Sequence, residues 1–484
     1  MSQNGGHGDL DMQAIARRVV EENGFRAAMP ADLEASIPTQ DPAASVTDLR
    51  ALKWSSIDNQ ESQDLDQVEW AERLADGAIR VLVGIADVDA YVPAGSPVDQ
   101  FAAANTSSLY TGITTFPMLP RVLSEHRTSL LQDQDHLAMV TEIVVAADGT
   151  VDDKLVKVYR ARVRNYAKLV YETIGEWLEG HASHEPNDAE LGAQVKLQDE
   201  AAQRLRKHRV EAGALDFETV EARAVSENGR VVSLEVQHQN RARQLIEDIM
   251  VATNGATARY LEALNRSSVR RVVLKPKRWD RIVALAAASG YQLPAEADSK
   301  ALAGFLRARK AADPDRYPEL SLSIVKLLGP GQYVVQRGGA PDIGHFGLAV
   351  EDYQHSTAPN RRYPDLVTQR LLKAAAAGAP APYNDDQLTA IADHCTEREN
   401  AGRKVERTMR KVAAAAFLST RIGEVFDAIV TGVGDKGTFA RLVRPPAEGR
   451  IVENEHGLDV GDRLQVRLID TSPAKGFIDF SALR

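Results

Sequence analysis

The sequence predicts an α+β fold that begins with a short helical segment and ends in a small β-barrel of five strands. Strand-like and helical patterns are mixed without the regular alternation of βαβ units, which favours α+β. The strand-like runs lie at 79–85 and 139–145, and the long helical patterns lie at 199–210, 241–264 and 366–377. Beyond residue 423 the chain changes to short strand-like runs separated by turn signals.

Residues 1–45 form the helical segment. One pattern, at 9–23, places apolar residues on a single face, Gly24 interrupts it, and Pro30 opens a second pattern. Two short helices around a turn are compatible with a helix-turn-helix that binds DNA. A helical pair that packs on the next domain explains the pattern equally well.

Residues 46–420 contain no internal repeat and are predicted to form one large α+β domain. Residues 421–484 are predicted to form the barrel. They contain five short strand-like runs in roughly 60 residues, which fits an OB-fold. These runs begin at Val425, Gly437, Gly449, Arg463 and Gly476.

The composition is that of a soluble globular protein, with 484 residues, 44% hydrophobic and 26% charged. No apolar run is long enough to span a bilayer, and the first residues lack a secretory signal. The single cysteine, Cys395, excludes a disulfide framework, so we expect a cytoplasmic protein without membrane contact. The net charge of −10 argues against a surface that binds nucleic acid throughout, but the stretches 266–281 and 397–411 are locally basic.

Three aspartates crowd nine positions of a polar stretch: Asp58, Asp64 and Asp66. Like charges this close repel one another unless a cation or hydrogen-bond donors neutralise them. In an extended segment Asp64 and Asp66 point to the same side. Carboxylate oxygens suit Mg²⁺, and two such ions could stabilise the displacement of a phosphodiester.

Two other interpretations of this stretch remain open. Asp58 to Glu69 has oxygen-bearing side chains at the ligand spacing of an EF-hand calcium loop, but Gln63 stands where the sharp turn needs Gly. A solvated acidic loop without a metal is the other interpretation.

A second dense segment spans residues 345–366. Arg361 and Arg362 follow a Pro-containing turn and could present many N–H donors to a phosphate. Salt bridges to Asp365 or another nearby acid would explain them equally well. His345 and His355 could be metal ligands, although hydrogen-bonded structural histidines are more common.

Taken together and in order, these segments resemble the catalytic domain of the RNase II and RNase R (RNB) family. The resemblance covers residues 46–420, and its motifs lie at 48–66, 84–92, 116–125, 168–171, 209–217, 245–254, 345–348 and 356–366. It implies an RNB catalytic domain followed by an RNA-binding OB-fold domain. The helical segment stands where the family has cold-shock barrels, for which 45 residues are too few.

The resemblance implies a 3′-to-5′ exoribonuclease that hydrolyses single-stranded RNA to nucleoside 5′-monophosphates with Mg²⁺ or, as an alternative, Mn²⁺. Asp58, Asp64 and Asp66 match the metal and catalytic carboxylates, with Asp66 at the most critical position. Arg361 matches an arginine on the phosphates at the scissile end, and Glu406 matches a glutamate near that end.

The resemblance also implies the RNA contacts. Tyr171 and Phe217 match two aromatics that clamp the terminal bases, and Tyr110 with Glu247 matches a pair that reads the ribose. Arg362 is expected to contribute to RNA binding, and the two basic stretches are expected to line the channel. DNA is not expected to be a substrate, and such an enzyme can act as a monomer.

One position departs from the family pattern. Gln67 stands where the family has a fourth carboxylate, and an amide oxygen is a weaker ligand for a hard dication. Glu61 and Glu69 are the nearby carboxylates that could replace it. The alternative function is therefore a weakly active or non-catalytic RNA-binding relative.

Overall fold

The computed structural model describes residues 11–39, 45–181, 186, 188–218, 222–227, 230–236, 238–314, 316–341, 345–348, 350 and 352–483. The helices are α1 (Met12–Glu22), α2 (Pro97–Asn105), α3 (Tyr171–Leu178), α4 (Ala189–Ala212), α5 (Arg241–Ala263), α6 (Trp279–Ala288), α7 (Ser299–Ala312), α8 (Tyr317–Leu328), α9 (Tyr363–Ala376) and α10 (Asp385–Leu418). Shorter helical turns lie at Glu34–Ser36, Val88–Ala90, Val122–Arg127 and Asp153–Leu155.

The strands are β1 (Thr47–Asp48), β2 (Trp54–Asp58), β3 (Gln67–Arg73), β4 (Ile79–Ala86), β5 (Leu109–Tyr110), β6 (Thr115–Phe116), β7 (Asp135–Val145), β8 (Lys157–Val170), β9 (Ala222–Glu227), β10 (Arg230–Val236), β11 (Ser268–Val272), β12 (Gln332–Gln336), β13 (Val425–Gly434), β14 (Gly437–Leu442), β15 (Glu448–Glu453), β16 (Arg463–Ser472) and β17 (Phe477–Leu483).

The predicted α+β class is confirmed, and the long patterns are the expected elements. The helices predicted at 241–264 and 366–377 are α5 and α9, and the strands predicted at 79–85 and 139–145 are β4 and β7. The helix predicted at 199–210 is the C-terminal half of α4. It begins earlier because the side chain of Asp188 accepts hydrogen bonds from the backbone N–H groups of Glu190 and Leu191, which caps the first turn.

The central sheet has six strands in the order β1-β8-β2-β3-β4-β7. The long strand β8 pairs antiparallel with β7 along its first half and parallel with β2 along its second half. The sheet therefore curls back on itself. Asp58, at the end of β2, pairs with Val170 at the end of β8, so α3 begins beside it with Tyr171.

The helix α10 is the longest in the described residues and connects the sheet domain to the barrel. Its Val405, Met409 and Val412 share a buried cluster with the apolar face of α1. The guanidinium of Arg398 lies 3.7 Å from the ring centre of Phe25. The N-terminal segment is thus docked on α10.

The second helical pattern of the N-terminal segment is shorter than predicted. After Pro30 the chain forms turns and a single 3-10 helix at Glu34–Ser36. Residues 11–39 therefore contain one α-helix rather than two, and α1 uses its apolar face to contact α10. Residues 1–10 and 40–44, which include most of the expected linker, lie outside the described residues.

The C-terminal strands close into the predicted barrel, in the order β13-β14-β15-β17-β16. Its interior includes the buried side chains of Val430, Leu442 and Phe480. The hairpin β9–β10 adds Ala224 and Leu234 to the same cluster. None of the helices in the ranges given above is both long enough and apolar enough to cross a membrane.

Candidate active site

The acidic loop of residues 59–66 connects β2 to β3 and is held by side chains from elsewhere in the fold. Lys168 Nζ donates to the carbonyl oxygens of Gln60 (2.8 Å) and Ser62 (2.5 Å). The Ser129 hydroxyl donates to the Gln63 carbonyl (2.5 Å) and accepts from Leu65 N–H (2.9 Å). Lys168 lies in the motif at 168–171, but no local pattern predicts this role for Lys168 or for Ser129.

Asp66 lies at the centre of the site and is 3% exposed. Its Oδ1 accepts a hydrogen bond of 3.0 Å from the backbone N–H of Asn360, and its Oδ2 lies 3.3 Å from Arg361 Nε. The acidic loop and the predicted arginine motif therefore meet in the fold. The side chain of Arg361 is 43% exposed, so its guanidinium is accessible beside the buried carboxylate.

The two other aspartates border Asp66. The Tyr110 hydroxyl donates to Asp64 Oδ2 at 2.7 Å. Asp58 Oδ1 accepts from Asn59 N–H (2.7 Å) and from the Ser62 hydroxyl (2.9 Å). The structure thus brings the predicted residues Asp58, Asp64, Asp66, Tyr110 and Arg361 together at the end of the central sheet.

The pKa values of Asp66 and Asp58 depend on burial and on the charges of their neighbours. Burial raises the pKa of Asp66 to about 7, the Arg361 charge opposes this, and the Asp64 charge adds to it. Burial likewise raises the pKa of Asp58, with the Asp64 charge acting in the same direction. A cation bound at this position would stabilise the ionised forms of both carboxyls.

These carboxylates suit an open magnesium site rather than a closed cage. In the described part of the chain, no three His, Cys, Asp or Glu side chains converge closely enough to hold a metal ion by themselves. Mg²⁺ usually keeps several waters and takes one or two carboxylates together with substrate phosphates. The hard-oxygen donors and the raised pKa of buried Asp66 fit that kind of binding.

The calcium-loop interpretation is wrong. Asp58 ends β2, and Glu69, which would be the last ligand, lies in β3 rather than at the start of a helix. Both carboxylate oxygens of Glu69 are fully buried without a hydrogen-bond partner in the described structure. Burial, with the Asp58 charge acting in the same direction, raises the pKa of Glu69 well above its usual range.

Glu61 and Glu69 are the two carboxylates that could replace the one missing at Gln67. Glu69 lies close enough to Asp58 for the Asp58 charge to raise the pKa of Glu69. Glu61 is exposed and forms an ion pair with Arg223 of β9. Gln67 itself is half-buried and is the first residue of β3.

Replacing Lys168 with Met is expected to weaken metal binding by about 10- to 100-fold, the usual effect of removing a group that orients ligands. The loop of residues 59–66 would lose the two hydrogen bonds that fix its backbone. Titration with Mn²⁺, followed by electron paramagnetic resonance, measures the affinity. Lys154→Met, at an exposed position, is the matched control, and equal affinities in the two variants would contradict the prediction.

The predicted aromatic residues occupy different surroundings. The guanidinium of Arg243, in α5, lies 4.4 Å from the ring centre of Tyr171, whose pKa is raised by burial and by the Asp58 charge. The ring of Tyr110 is 42% exposed beside Asp64. Phe217 is half-buried and packs against the cluster of α6, α7 and α8, which has its own apolar core. No contact in the described structure joins Phe217 to the aspartates.

Glu247 and Glu406 lie on the helices α5 and α10. Glu247 accepts a hydrogen bond from Gln239 and lies one turn along α5 from Arg243, which stacks on Tyr171. The joint contact of Tyr110 and Glu247 with the ribose stays a prediction. Glu406 is half-buried on α10.

The two neighbouring arginines have separate roles. Arg361 faces Asp66, whereas Arg362 Nη2 donates to Asp365 Oδ1 at 2.7 Å. Of the basic stretch 266–281, Arg270 and Arg271 lie in β11 and are 3% and 6% exposed. These two residues of the stretch are therefore buried, whereas Lys275, Lys277 and Arg278 are exposed, and a channel wall at this stretch stays a prediction.

The two histidines are hydrogen-bonded within the domain. His345 Nδ1 accepts from the backbone N–H of Leu348 (3.1 Å), and His355 Nδ1 lies 2.9 Å from the Tyr333 hydroxyl. Burial lowers the pKa of His345 to about 4 and lowers that of His355 well below its usual range. Both groups are therefore neutral near pH 7.

His345 makes the protein less stable in mild acid. Its pKa is about 4 when folded and near 6.5 when unfolded, so the unfolded state binds more protons between these values, and stability falls as the pH drops through this window. We expect His345→Gln to lose less stability than the parent chain between pH 7 and pH 5. Urea denaturation at both pH values measures this, and equal losses in the two proteins would contradict it.

The family follows from a comparison of the chain with known protein domains. The RNB domain matches residues 46–378, which include the central sheet, the acidic loop and the Arg361 segment. This chain belongs to the RNB family. A second match, to the RNase II-type exonuclease C-terminal S1 domain, covers residues 424–483 and coincides with the barrel of this RNB protein.

Ribonuclease R 1 of Lactococcus lactis is 30% identical over 398 residues, which are 80% of this chain and 48% of that protein. The chain thus spans about half the length of that relative. The apo form of Mycoplasma genitalium RNase R has the same fold, with a TM-score of 0.87 and 22% identity over 98% of this chain and 79% of that chain. Yeast Ssd1, a pseudonuclease, also shares it, with a TM-score of 0.73 and 16% identity over 92% of this chain and 56% of its own. The RNB fold alone therefore does not establish catalysis.

Proposed function

We propose that this RNB protein is a metal-dependent 3′-to-5′ exoribonuclease that hydrolyses single-stranded RNA to nucleoside 5′-monophosphates. The main support is the contact between the acidic loop and the Arg361 segment, which places an accessible guanidinium 3.3 Å from the buried Asp66 carboxylate. Anionic metal ligands beside a phosphate-binding arginine are what phosphodiester hydrolysis requires.

Arg361 would bind the scissile phosphate. Its Nε contacts Asp66, which orients the guanidinium plane, and the group is partly exposed. Arginine binds phosphate oxygens through two parallel N–H groups and keeps its charge at any working pH. Its role is to position the phosphodiester and to stabilise the charge that develops on it.

The metal ligands would be Asp58, Asp64 and Asp66, with Mg²⁺ favoured by ligand hardness and Mn²⁺ as an alternative. Bound there, the ion supplies an activated water and neutralises charge on the phosphate. Tyr110 holds Asp64 by the hydrogen bond of 2.7 Å. Lys168 holds the backbone of the loop, and Asn360 holds Asp66.

The aromatic residues would bind the 3′ end of the RNA by stacking on its bases, independently of the sequence. The exposed ring of Tyr110 offers a stacking face next to Asp64. The guanidinium of Arg243 stacks on one face of the Tyr171 ring, so a base would stack on the opposite face. Each such stack contributes about 1–3 kcal/mol for any base. Through the family resemblance, Glu247, Phe217 and Arg362 belong to the proposed RNA-binding set, and Glu406 belongs to the proposed catalytic set.

A second candidate function is an RNA-binding protein with little or no catalysis. It is favoured by Gln67, which supplies no carboxylate where the family has a fourth one. One observation argues against this second function. The family's site residues are present in the chain, and the contacts described above hold them in place: Asp58, Asp64, Asp66 and Arg361.

A 5′-labelled single-stranded RNA of mixed sequence, incubated with Mg²⁺, Mn²⁺ or EDTA, tests the proposal. The exonuclease produces a ladder that shortens from the 3′ end, and EDTA abolishes it. A duplex DNA of the same sequence is the control for substrate class. RNA that is bound but stays intact with either metal would favour the second candidate.

A further inference from the structure

A cavity of about 320 Å³ is lined in part by Arg362, the residue that follows Arg361 in the chain. This volume is near the lower end of the ~300–1,000 Å³ found for small-molecule sites. Its wall includes side chains from β11, β12 and α10 and from the segment that precedes α9. The residues that carry the argument are Arg271, Tyr333, His355, Arg362, Glu399 and Arg403.

The cavity and the candidate active site share the same two backbone segments. Ser108 N–H donates to the Arg361 carbonyl oxygen at 3.0 Å, and Ser107 forms a β-bridge with Arg362. Tyr110, two residues after Ser108, reaches Asp64 in the acidic loop. Arg361 contacts Asp66, whereas its neighbour Arg362 lines the cavity.

The cavity has an excess of positive charge and of hydrogen-bond donors. Glu399 Oε1 accepts from both Arg271 (2.7 Å) and Arg403 (2.6 Å), and Asp365 accepts from Arg362 (2.7 Å). Three guanidinium groups therefore face two carboxylates. Arg271 Nη1 and Arg362 Nε are buried without a hydrogen-bond partner in the described structure, as is Glu399 Oε2.

The remaining wall is neutral and partly aromatic. The guanidinium of Arg271 lies 4.9 Å from the ring centre of Tyr333, whose hydroxyl contacts His355. Burial and the charges of Arg362 and Arg271 lower the pKa of His355, and burial raises the pKa of the Cys395 thiol. Neither group adds charge near pH 7. The arginines therefore determine the electrostatic potential of the cavity. Glu399 is the one acidic residue among the described residues of its wall.

We propose that this cavity binds the phosphate of a nucleoside 5′-monophosphate, the product released at the adjacent active site. This inference rests on the proposed exoribonuclease function. Hydrolysis converts a phosphodiester with one charge into a phosphomonoester with about −1.5 to −2 at pH 7. The three guanidinium groups of Arg271, Arg362 and Arg403, opposed by the Glu399 and Asp365 carboxylates, favour the more highly charged product over the RNA backbone. The volume beyond the arginines would hold the sugar and base.

Isothermal titration of adenosine 5′-monophosphate into the full chain tests this, with EDTA present and RNA absent so that the aspartates repel phosphate. We expect binding of one nucleotide per chain. Orthophosphate, the other source of a phosphate dianion, is expected to bind more weakly because it leaves most of the cavity unfilled. Equal affinities for the two would overturn the assignment to the product.

Arg403→Gln is the informative variant, because its side chain is 50% exposed and lies at the edge of the cavity. It is expected to bind the nucleotide about tenfold more weakly, the effect of one lost charged hydrogen bond. Lys154→Gln removes a charge from an exposed residue outside the cavity wall and should bind normally. Equal weakening in both variants would overturn the proposal, and thermal melting checks that both are folded.

The RNA cleavage assay on the same preparation separates the two proposals. Cleavage without saturable nucleotide binding overturns the cavity assignment and keeps the exoribonuclease function. Nucleotide binding without cleavage overturns the exoribonuclease function and, with it, the role of the cavity as a product site.

Discussion

Replacing Asp66 with Asn is expected to reduce RNA cleavage by about 10³-fold or more while RNA binding changes little. A bound metal stabilises transition-state charge by several kcal/mol, and about 1.4 kcal/mol corresponds to a factor of ten in rate. Asn keeps the size of Asp66 and can still accept the hydrogen bond from Asn360. It removes the charge that a metal needs and that Arg361 contacts. The fold and the aromatic contacts are expected to remain.

Two measurements test the prediction for Asp66→Asn. Single-turnover cleavage of 5′-labelled RNA gives the rate, and fluorescence anisotropy of the same RNA gives the affinity. Asp386→Asn, at an exposed position in the first turn of α10, removes the same charge far from the site and should cleave normally. Cleavage by Asp66→Asn within a factor of ten of the parent rate would overturn the assignment of Asp66 as a metal ligand.

Replacing Arg361 with Met is expected to slow cleavage by roughly 10²- to 10³-fold, the effect of removing one donor that stabilises developing charge. The loss should appear mainly in kcat, because the aromatic stacks and other phosphate contacts still bind the substrate. Lys at this position keeps the charge but loses the planar fork, so Arg361→Lys should recover only part of the rate.

The neighbouring arginine is the control for this prediction. Arg362 Nη2 bonds to Asp365 at the start of α9 and does not face Asp66. Arg362→Lys keeps a positive charge beside Asp365 and is expected to leave the single-turnover rate of cleavage nearly unchanged, although product release can change. Equal loss of the single-turnover rate in Arg361→Lys and Arg362→Lys would contradict the assignment of Arg361 to the scissile phosphate.

Local patterns in the sequence were sufficient for the elements of the fold. The periodicity of 241–264 and 366–377 predicted α5 and α9, and turn signals divided the C-terminal residues into the strands of the barrel. These properties depend on near neighbours in the chain, so one sequence is enough to recognise them. The crowding of Asp58, Asp64 and Asp66 was likewise visible because all three lie within nine consecutive residues.

The partners of those residues depend on distant parts of the chain. Asn360, which holds Asp66, is 294 residues away from it in sequence. Arg361 and Arg362 are the same residue type in adjacent positions, yet only the fold decides that one meets Asp66 and the other Asp365. Tyr110, which donates to Asp64, is likewise 46 residues away from it in sequence.

The sequence by itself determined the fold class, the barrel and the cluster of acids that defines the candidate site. Only the tertiary structure decided that Arg270 and Arg271 are buried, that Glu69 is buried near Asp58 and that Arg362 lines a basic cavity. The physical reason is that secondary structure follows from the side chains of neighbouring residues. Burial and charge pairing, in contrast, depend on which surfaces the folded chain brings together.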